Sequence, residues 1–302
     1  MKKLLYSLIS FGVLLFVVDR IGGWGLDKLR NITHSQMYTK MNRIERGVTE
    51  DVVIFGTSRA NMHYVPSILS DSLQMSVYNA GTTGSNNIFS QYLTLCHVLK
   101  KHTPKIVCLE LSVQDYCLEN VDPFEQLSRF APFVGTSDKM DAVYKEAGQY
   151  WIYQISHLYR YNHGVLGLLG GLVHSIGEAN SDNGYIGLPK PEHFPDEIEV
   201  QATPKEIDPL KITYLEKFIG DCEERNITIC FMVSPAYRKV ASDIYDPLKE
   251  IAKKHHIPFL DYHSEGLYLD HPEYFKDAGH LWDQGARLYT ARFAHDLSEL
   301  LR

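Results

Sequence analysis

The chain has 302 residues, of which 44% are hydrophobic and 22% are charged, and its formal net charge is -7 at pH 7. This composition is ordinary for a globular protein, and the length supplies enough apolar side chains for one large core or two smaller ones. The acidic balance argues against the basic surface by which nucleic-acid-binding proteins attract phosphates, so no nucleic acid is expected as a partner.

The N-terminal segment is far more apolar than the rest of the chain. Two lysines precede an apolar run over residues 4–18, and a charged pair, Asp19-Arg20, then interrupts it. A membrane-spanning helix needs about 20 mostly apolar residues, which residues 4–24 supply. No small-x-small cleavage motif follows, so residues 1–24 are predicted to be an uncleaved, transmembrane signal-anchor rather than a removed signal peptide.

The charges that flank the apolar run bear on its orientation in a membrane. The two N-terminal lysines favour a cytoplasmic N-terminus, whereas Arg20, Lys28 and Arg30 on the other flank oppose it. We expect a single-pass membrane protein whose domain lies outside the cytoplasm, in the periplasm or the extracellular space. Residues 25–50 are predicted to be a polar, partly helical connector between the anchor and the domain.

Strand-like and helical patterns alternate through most of the chain after residue 50. A strand buried on both faces has a continuous apolar run, and such runs occur at residues 51–58, 76–80, 105–112, 228–233 and 257–261. Helical spacing of apolar residues predicts helices at 60–73, 88–101, 209–225, 240–255 and 284–301. The alternation predicts an α/β domain over residues 51–302, with three α/β/α layers, a flavodoxin-like order and a parallel sheet.

Residues 116–208 interrupt this alternation. They are rich in aromatic residues, include a glycine- and leucine-rich stretch at 164–171, and end in a polar tract with four prolines. The segment is too long for a simple connection, so it is predicted to be an insertion that partly covers the ligand crevice. We interpret its aromatic side chains as core or lid packing, and a carbohydrate-stacking surface is the alternative.

The cysteines and histidines do not predict a metal site. The five cysteines form an odd set without a CxxC pair, and Cys108 and Cys230 lie in apolar runs that predict buried strands. Four histidines between residues 255 and 271 have no spacing typical of zinc sites. We therefore expect neither a metal nor an organic cofactor.

Ser58 follows the first predicted strand, at the start of a helical segment. In an open α/β sheet the ligand crevice lies beyond the carboxyl ends of the strands. A serine there can attack a carbonyl while nearby N–H groups receive the developing oxyanion. Taken alone, the position favours a different interpretation, in which Ser58 is only a helix N-cap.

Two other segments offer polar groups near the same edge. Asp277 and His280 precede the last predicted helix, and at this spacing the carboxylate can orient the imidazole while its other nitrogen takes a serine proton. A lone pair of this kind is more often a turn cap and a surface histidine. The Gly81–Gly84 loop follows the second predicted strand, and it could also cradle a phosphate, although it lacks a Walker lysine.

Taken together, these segments resemble the SGNH hydrolases, the superfamily of GDSL-type lipases and esterases. The matching segments are Gly56-Thr57-Ser58 for the first block, Asn79-Ala80-Gly81-Thr82-Thr83-Gly84 for the second and Asp277-Ala278-Gly279-His280 for the fifth. Thr57 replaces the usual aspartate, and Ser112-Val113-Gln114-Asp115 stands where the third block, Gly-x-Asn-Asp, is expected. The resemblance spans residues 51–115 and 227–298.

The resemblance implies serine-dependent acyl-ester chemistry. Ser58 is the implied nucleophile, His280 its base and Asp277 the residue that orients the histidine. The implied oxyanion donors are the N–H groups of Ser58 and Gly84, with Gln114 in place of the family's asparagine. Residues expected to contact the substrate are Arg59, Asn61 and Asn86.

The anchor, the insertion and the Gly-Thr-Ser-Arg form of the first block resemble a membrane-associated branch that handles acyl groups on cell-envelope polymers. This implies an O-acyl (O-acetyl) transferase or esterase that acts on cell-surface polysaccharide. Its expected partners are an acyl ester or acylated carbohydrate, the membrane and a multi-spanning acyl-donor membrane protein. Thr57 and Gln114 support an alternative, a non-catalytic SGNH-like protein that binds glycan or organises a membrane complex.

Overall fold

The computed structural model describes residues 1–84, 87–119, 124–173, 182–204, 206–264, 266 and 268–302. These residues divide into two units. The N-terminal unit comprises residues 1–42 and 124–173, and the sheet unit comprises the described residues from 43 to 119 and from 182 to 302.

In chain order the helices are α1 (Lys2–Ile32), α2 (Gln36–Arg46), α3 (Ser58–His63), α4 (Pro66–Leu73), α5 (Ile88–Leu99), α6 (Asp138–Glu146), α7 (Tyr150–Ile155), α8 (Val165–Val173), α9 (Pro209–Glu223), α10 (Asp246–Lys254) and α11 (Asp283–Leu300). The strands are β1 (Val52–Phe55), β2 (Val77–Asn79), β3 (Ile106–Glu110), β4 (Glu199–Gln201), β5 (Thr228–Val233), β6 (Arg238–Val240), β7 (Phe259–Asp261), β8 (Phe275–Asp277) and β9 (His280–Leu281). Short 3₁₀ segments lie at Val113–Asp115, Glu125–Phe133, Tyr159–Tyr161 and Pro272–Tyr274.

A five-stranded parallel sheet forms the centre of the sheet unit. Its strand order is β2-β1-β3-β5-β7. If these five strands alone are numbered along the chain, the order is 2-1-3-4-5, which is that of flavodoxin-like folds. The predicted α/β class and strand order are therefore confirmed. All residues of β1 and β3 are buried, which explains why both segments are continuous apolar runs.

Helices cover both faces of this sheet. Ile54, Tyr64 and Phe293 belong to one buried cluster on the face where α3, α4 and α11 pack. On the other face α5 packs against α9, and the rings of Phe55 and Phe218 meet edge to face with centroids 5.6 Å apart. Adjacent strand residues thus face opposite layers, as the pleat of a strand requires.

Two predicted helices have different boundaries in the structure. The helix predicted at 60–73 is divided into α3 and α4, because Val65 precedes a proline and is held in an extended conformation, with φ -94° and ψ 108°. The helix predicted at 240–255 begins only at Asp246, where Pro247 occupies the first turn. Before it, β6 pairs in parallel with β4, which lies within the predicted insertion.

The N-terminal unit contains the long apolar helix. Helix α1 continues past residue 24, the predicted end of the anchor, to Ile32. Among the described residues it is the one helix long and apolar enough to cross a membrane. Most of the predicted connector, residues 25–50, is helical as well, in the end of α1 and in α2.

The aromatic residues of the predicted insertion differ widely in burial. Those buried in the N-terminal unit are Phe130, Phe133, Tyr144, Tyr153 and Tyr161, whereas Trp151 and Tyr159 are exposed. Most of these side chains are therefore core, as predicted. The five cysteines are buried and form no disulfide. That the insertion covers the crevice stays a prediction.

Candidate active site

A tight turn between β1 and α3 carries Ser58. Gly56 in this turn has a φ of +146°, and a Cβ on it would lie 2.6 Å from the Cβ of Ala60 and 2.7 Å from the Cβ of Glu110. Both the backbone conformation and the lack of space therefore require glycine. The turn makes Ser58 the first residue of α3, at the carboxyl edge of the sheet.

Ser58, His280 and Asp277 form one hydrogen-bonded chain. The Oγ of Ser58 lies 2.8 Å from Nε2 of His280. The Nδ1 of the same imidazole lies 2.9 Å from Oδ1 and 3.1 Å from Oδ2 of Asp277. Because a carboxylate only accepts hydrogen bonds, Nδ1 carries the proton and Nε2 accepts the hydrogen of the serine hydroxyl.

A small antiparallel hairpin, β8 with β9, holds the aspartate and the histidine together. Oδ1 of Asp277 also accepts hydrogen bonds from the backbone N–H groups of Gly279 at 2.8 Å and His280 at 3.0 Å. Partial burial raises the pKa of the Asp277 carboxyl, but the hydrogen bonds from His280 and Gly279 outweigh it, so the pKa lies below its ordinary value. The group is therefore ionised near neutral pH.

A buried polar network, which was not predicted from the sequence, lies beneath the hairpin. The N–H of Leu281 donates to Nε2 of His63 at 2.9 Å, so the His63 proton is on Nδ1, which donates to Oγ of Ser234 at 2.8 Å. Oγ of Ser234 in turn lies 2.8 Å from Oε1 of Glu110, to which it donates. Burial lowers the pKa of His63 well below its ordinary value, which keeps the ring neutral.

The network ends at a buried ion pair. Nε of Arg59 lies 3.3 Å from Oε1 of Glu110, and the guanidinium also donates to the backbone oxygens of Leu111 at 3.0 Å and Ser234 at 3.3 Å. The hydroxyl of Tyr64 donates to the same carboxylate. Burial raises the pKa of the Glu110 carboxyl even against these stabilising partners. Arg59 thus holds three backbone segments together, a structural role beside the predicted contact with substrate.

One sequence signal could have identified this ion pair. Glu110 is a charged residue inside the apolar run that predicts the third strand. A charge in a buried strand needs an opposite charge or several hydrogen bonds. Arg59 follows the neighbouring strand at the same edge of the sheet, so it is the natural candidate for the opposite charge.

Ser58 and His280 line a cavity of about 190 Å³ in the sheet unit. Besides these two, the polar residues that line it include Arg59, Ser112, Gln114, Gln201, Arg238 and His263. Val113 and Ala236 also line it. Gln201 and Arg238 were not predicted as site residues, because β4 and β6, on which they lie, are short and partly exposed and have no apolar pattern.

The other predicted site residues are distributed differently. Gln114 lies in the cavity wall, on the 3₁₀ segment after β3, whereas Gly84 is not among the described residues that line the cavity. Asn61 is completely buried, which does not fit its predicted contact with substrate. Asn86 lies outside the described residues.

Two of the histidines that could suggest a metal site are paired with carboxylate side chains. His255 lies 2.7 Å from a carboxylate oxygen of Glu216 and 2.9 Å from one of Glu223. His271 lies 2.9 Å from the carboxylate of Glu273. Within the described part of the chain, no three His, Cys, Asp or Glu side chains are grouped so that they could hold a metal ion.

Comparisons with known proteins identify structural neighbours only. A scan against protein-family models and a search of curated proteins each found no match. A solved protein from Desulfitobacterium hafniense DCB-2, assigned to the lipolytic G-D-S-L family, has 12% identity and a TM-score of 0.41, over 81% of this chain and 97% of that one. A protein from Bacteroides fragilis NCTC 9343 assigned as an acylhydrolase has 13% identity and a TM-score of 0.40, over 86% and 95%.

A lipase/acylhydrolase from Enterococcus faecalis has 14% identity and a TM-score of 0.34, over 82% of this chain and 95% of that one. These three structural neighbours are thus described as a lipolytic protein, an acylhydrolase and a lipase/acylhydrolase. At these identities and TM-scores, we infer nothing about this chain's function from them.

Asp115 fixes the segment that carries Gln114. Its Oδ2 accepts hydrogen bonds from the backbone N–H and the hydroxyl of Ser112, each at 2.8 Å, which completes a capping box. The residue is 1% exposed. Burial raises the pKa of the Asp115 carboxyl to about 6, although these hydrogen bonds favour the charged form.

Replacing this carboxyl should change how the free energy of unfolding depends on pH. The folded-state pKa of about 6 lies above the ordinary value of 3.8, so the fold favours the protonated form. The resulting stabilisation is complete below the ordinary pKa and is lost as the pH rises through the folded-state pKa. Urea unfolding of wild type and Asp115→Asn should therefore show wild type losing stability relative to the variant between about pH 4 and about pH 7. A difference that stays constant over this range would contradict the raised pKa.

Proposed function

We propose that this chain is a serine-dependent enzyme of acyl-ester chemistry, with Ser58, His280 and Asp277 as a catalytic triad. The observation that carries the proposal is the hydrogen-bonded chain from Ser58 Oγ through His280 to Asp277, with a serine–histidine distance of 2.8 Å. The serine and histidine both line the cavity. This is the arrangement in which a neutral imidazole activates a hydroxyl and a carboxylate stabilises the imidazolium that forms.

The proposed reaction has two halves. In the first, Ser58 Oγ attacks the ester carbonyl, His280 Nε2 takes the hydroxyl proton, and the same proton then passes to the departing alcohol as the ester bond breaks. In the second, water or another hydroxyl loses its proton to His280 and attacks the acyl-serine, and the proton returns to Ser58. Asp277 keeps Nδ1 protonated throughout, so Nε2 is always the nitrogen that exchanges the proton.

Stabilisation of the oxyanion is the second requirement. The first N–H groups of a helix have no acceptor within the helix, and Ser58 is the first residue of α3. We propose that its N–H and the side-chain amide of Gln114, which lies in the same cavity wall, donate to the oxyanion. Removing one such donor typically costs about 100- to 1000-fold in rate. The role of Gly84 stays a prediction.

The size and polarity of the cavity favour a small acyl group on a polar molecule. A volume of about 190 Å³ is below the roughly 300–1,000 Å³ of pockets that hold drug-sized ligands. A long alkyl chain in the cavity would displace water from the arginine and glutamine side chains and offer them no hydrogen bonds in return. Sugar hydroxyls can replace the bonds to water. We therefore propose an O-acetyl ester of a carbohydrate as the substrate class.

The apolar helix α1 suits an enzyme of the cell surface. We propose that it anchors the chain, that the sheet unit lies outside the cytoplasm, and that the acceptor is a surface polysaccharide. A multi-spanning membrane protein would then supply the acyl group. Transfer is favoured over hydrolysis, because an acceptor hydroxyl held beside the acyl-serine outcompetes bulk water.

A fluorophosphonate probe tests the proposed nucleophile. Such probes react with serines that an adjacent base activates, so wild-type protein should be labelled and Ser58→Ala should not. The control is Ser298→Ala, because the Ser298 hydroxyl donates to the backbone oxygen of His295 at 2.8 Å, away from the cavity. It should retain labelling. Absence of labelling in folded wild-type protein would refute the nucleophile and favour the non-catalytic alternative.

Neutralising the orienting carboxylate should slow the reaction without unfolding the protein. Asp277→Asn should reduce kcat for an activated acetyl ester by roughly 1,000- to 10,000-fold, because an amide can present its N–H to the imidazole and favour the wrong tautomer. Glu273→Gln is the matched control, since Glu273 is an exposed carboxylate paired with His271 at 2.9 Å and should leave kcat unchanged. Equal rates in wild type and Asp277→Asn would remove Asp277 from the mechanism.

Transfer and hydrolysis can be separated by product analysis. Purified protein is given an activated acetyl ester with and without oligosaccharide acceptors, and mass spectrometry measures acetylated sugar against free acetate. We expect acceptors to reduce acetate release and to gain an acetyl group in a Ser58-dependent manner. Rapid acetate release that no acceptor diverts would contradict transfer and leave an esterase.

A further inference from the structure

We propose that the N-terminal unit contacts the membrane at a second place, through α7 and the loop after it. The interfacial patch, as we call this surface, consists of Trp151, Ile152, Ile155, Leu158 and Tyr159. Its proposed occupant is the interfacial layer of the bilayer that α1 spans.

The interfacial patch is an exposed surface of large apolar side chains. Trp151 and Ile155 are each 70% exposed, and Ile152, Leu158 and Tyr159 are also exposed. All five lie within one short helix and the loop that follows it. Clustered exposure of this kind marks a surface that contacts something other than water.

Asp19 connects the interfacial patch to a definite position on α1. Its carboxylate accepts hydrogen bonds from Ser156 Oγ at 2.5 Å, from the N–H of His157 at 2.9 Å and from the N–H of Leu158 at 3.1 Å. Asp19 is the first charged residue after the apolar run. The charge that interrupts the run therefore has a structural use, which is to hold this loop.

The next turn of α1 strengthens the attachment. The guanidinium of Arg20 donates to the backbone oxygen of Ile155 at 2.9 Å. A Cβ on Gly22 would lie 2.7 Å from Cδ2 of Leu158, and one on Gly23 would lie 2.3 Å from Cβ of His157. The two glycines therefore let the loop pack directly against the helix backbone, at the level of residues 19–23.

That level coincides with the edge of a bilayer. The part of α1 from Lys2 to Val18 is about 25 Å long at 1.5 Å per residue, and the hydrocarbon core of a bilayer is about 30 Å thick. The apolar side chains of this part are exposed. If they lie in the hydrocarbon, Asp19 and the attached loop lie at the boundary with the headgroups.

The chemistry of the interfacial patch suits this boundary better than a protein partner. Trp and Tyr are enriched where the hydrocarbon meets the headgroups, because an apolar ring carries one polar group. Trp24, on the same stretch of α1, is also exposed and has Lys28 5.6 Å from its ring centre. Leu158 of the patch packs against α1 at Gly22, so lipid that surrounds the helix at this level also reaches the patch.

Depth-dependent fluorescence tests the proposal in the full chain. Trp151→Cys and, separately, Ile155→Cys are labelled with an NBD fluorophore and placed in phosphatidylethanolamine/phosphatidylglycerol vesicles. The native cysteines are buried and should not react. We expect a blue-shifted emission and strong quenching by lipids that carry a nitroxide near the headgroup.

Leu166→Cys is the matched control. Leu166 is 81% exposed and lies on α8. The hydroxyl of Thr33 donates to the backbone oxygen of Leu168 at 2.9 Å, which places α8 beside Thr33. Thr33 is about 20 Å farther along the axis of α1 than Asp19, so a label on residue 166 should remain in water. Equal quenching at all three positions, or none at residues 151 and 155, would overturn the proposal. Failure of the wild-type chain to float with the vesicles would overturn both the proposal and the anchor.

Discussion

The buried carboxylate of Glu110 is the constraint on which the candidate site depends. An ion removed from water costs several kcal/mol unless it gains an opposite charge and hydrogen bonds. Arg59 in α3, Tyr64 directly after α3 and Ser234 directly after β5 supply these. Because Glu110 ends β3, satisfying its charge brings α3 together with the ends of β3 and β5.

Both halves of the proposed triad follow from this one charge. Arg59 is the neighbour of Ser58, so its ion pair sets how α3 is rotated and where the serine hydroxyl points. On the other side, Ser234 accepts from His63, which accepts from the N–H of Leu281, the residue after His280. The network therefore positions the proposed nucleophile and base relative to each other.

Much of the sheet unit could be predicted because its physical causes are local. A strand covered by helices on both faces must be apolar throughout, so the runs at β1, β3 and β5 were visible in the sequence. The positions of Ser58 and Gln114 then followed from the rule that parallel strands end at a common edge. The meeting of Ser58 with His280, 222 residues later, required the resemblance of motifs as well.

The features that could not be predicted depend on contacts between distant segments. The burial of Asn61 is hidden because α3 has six residues, too few to show a periodic apolar face. The β4–β6 pair joins two exposed three-residue strands, so neither has an apolar pattern. The structural use of Asp19 was likewise invisible, because its partners lie more than 130 positions away.

The hairpin of β8 and β9 has a consequence for how the site is maintained over time. Asp277 and His280 are outside the five-stranded sheet, and backbone links such as Tyr237 N–H to Ala278 oxygen, at 2.9 Å, join the hairpin to the sheet unit. Opening the hairpin must break these links and also expose Phe275 and Leu281, which are fully buried in the core cluster. Separation of the proposed base from the nucleophile is therefore tied to a loss of core packing, and hydrogen exchange at the Tyr237 and Leu281 amides would time that separation.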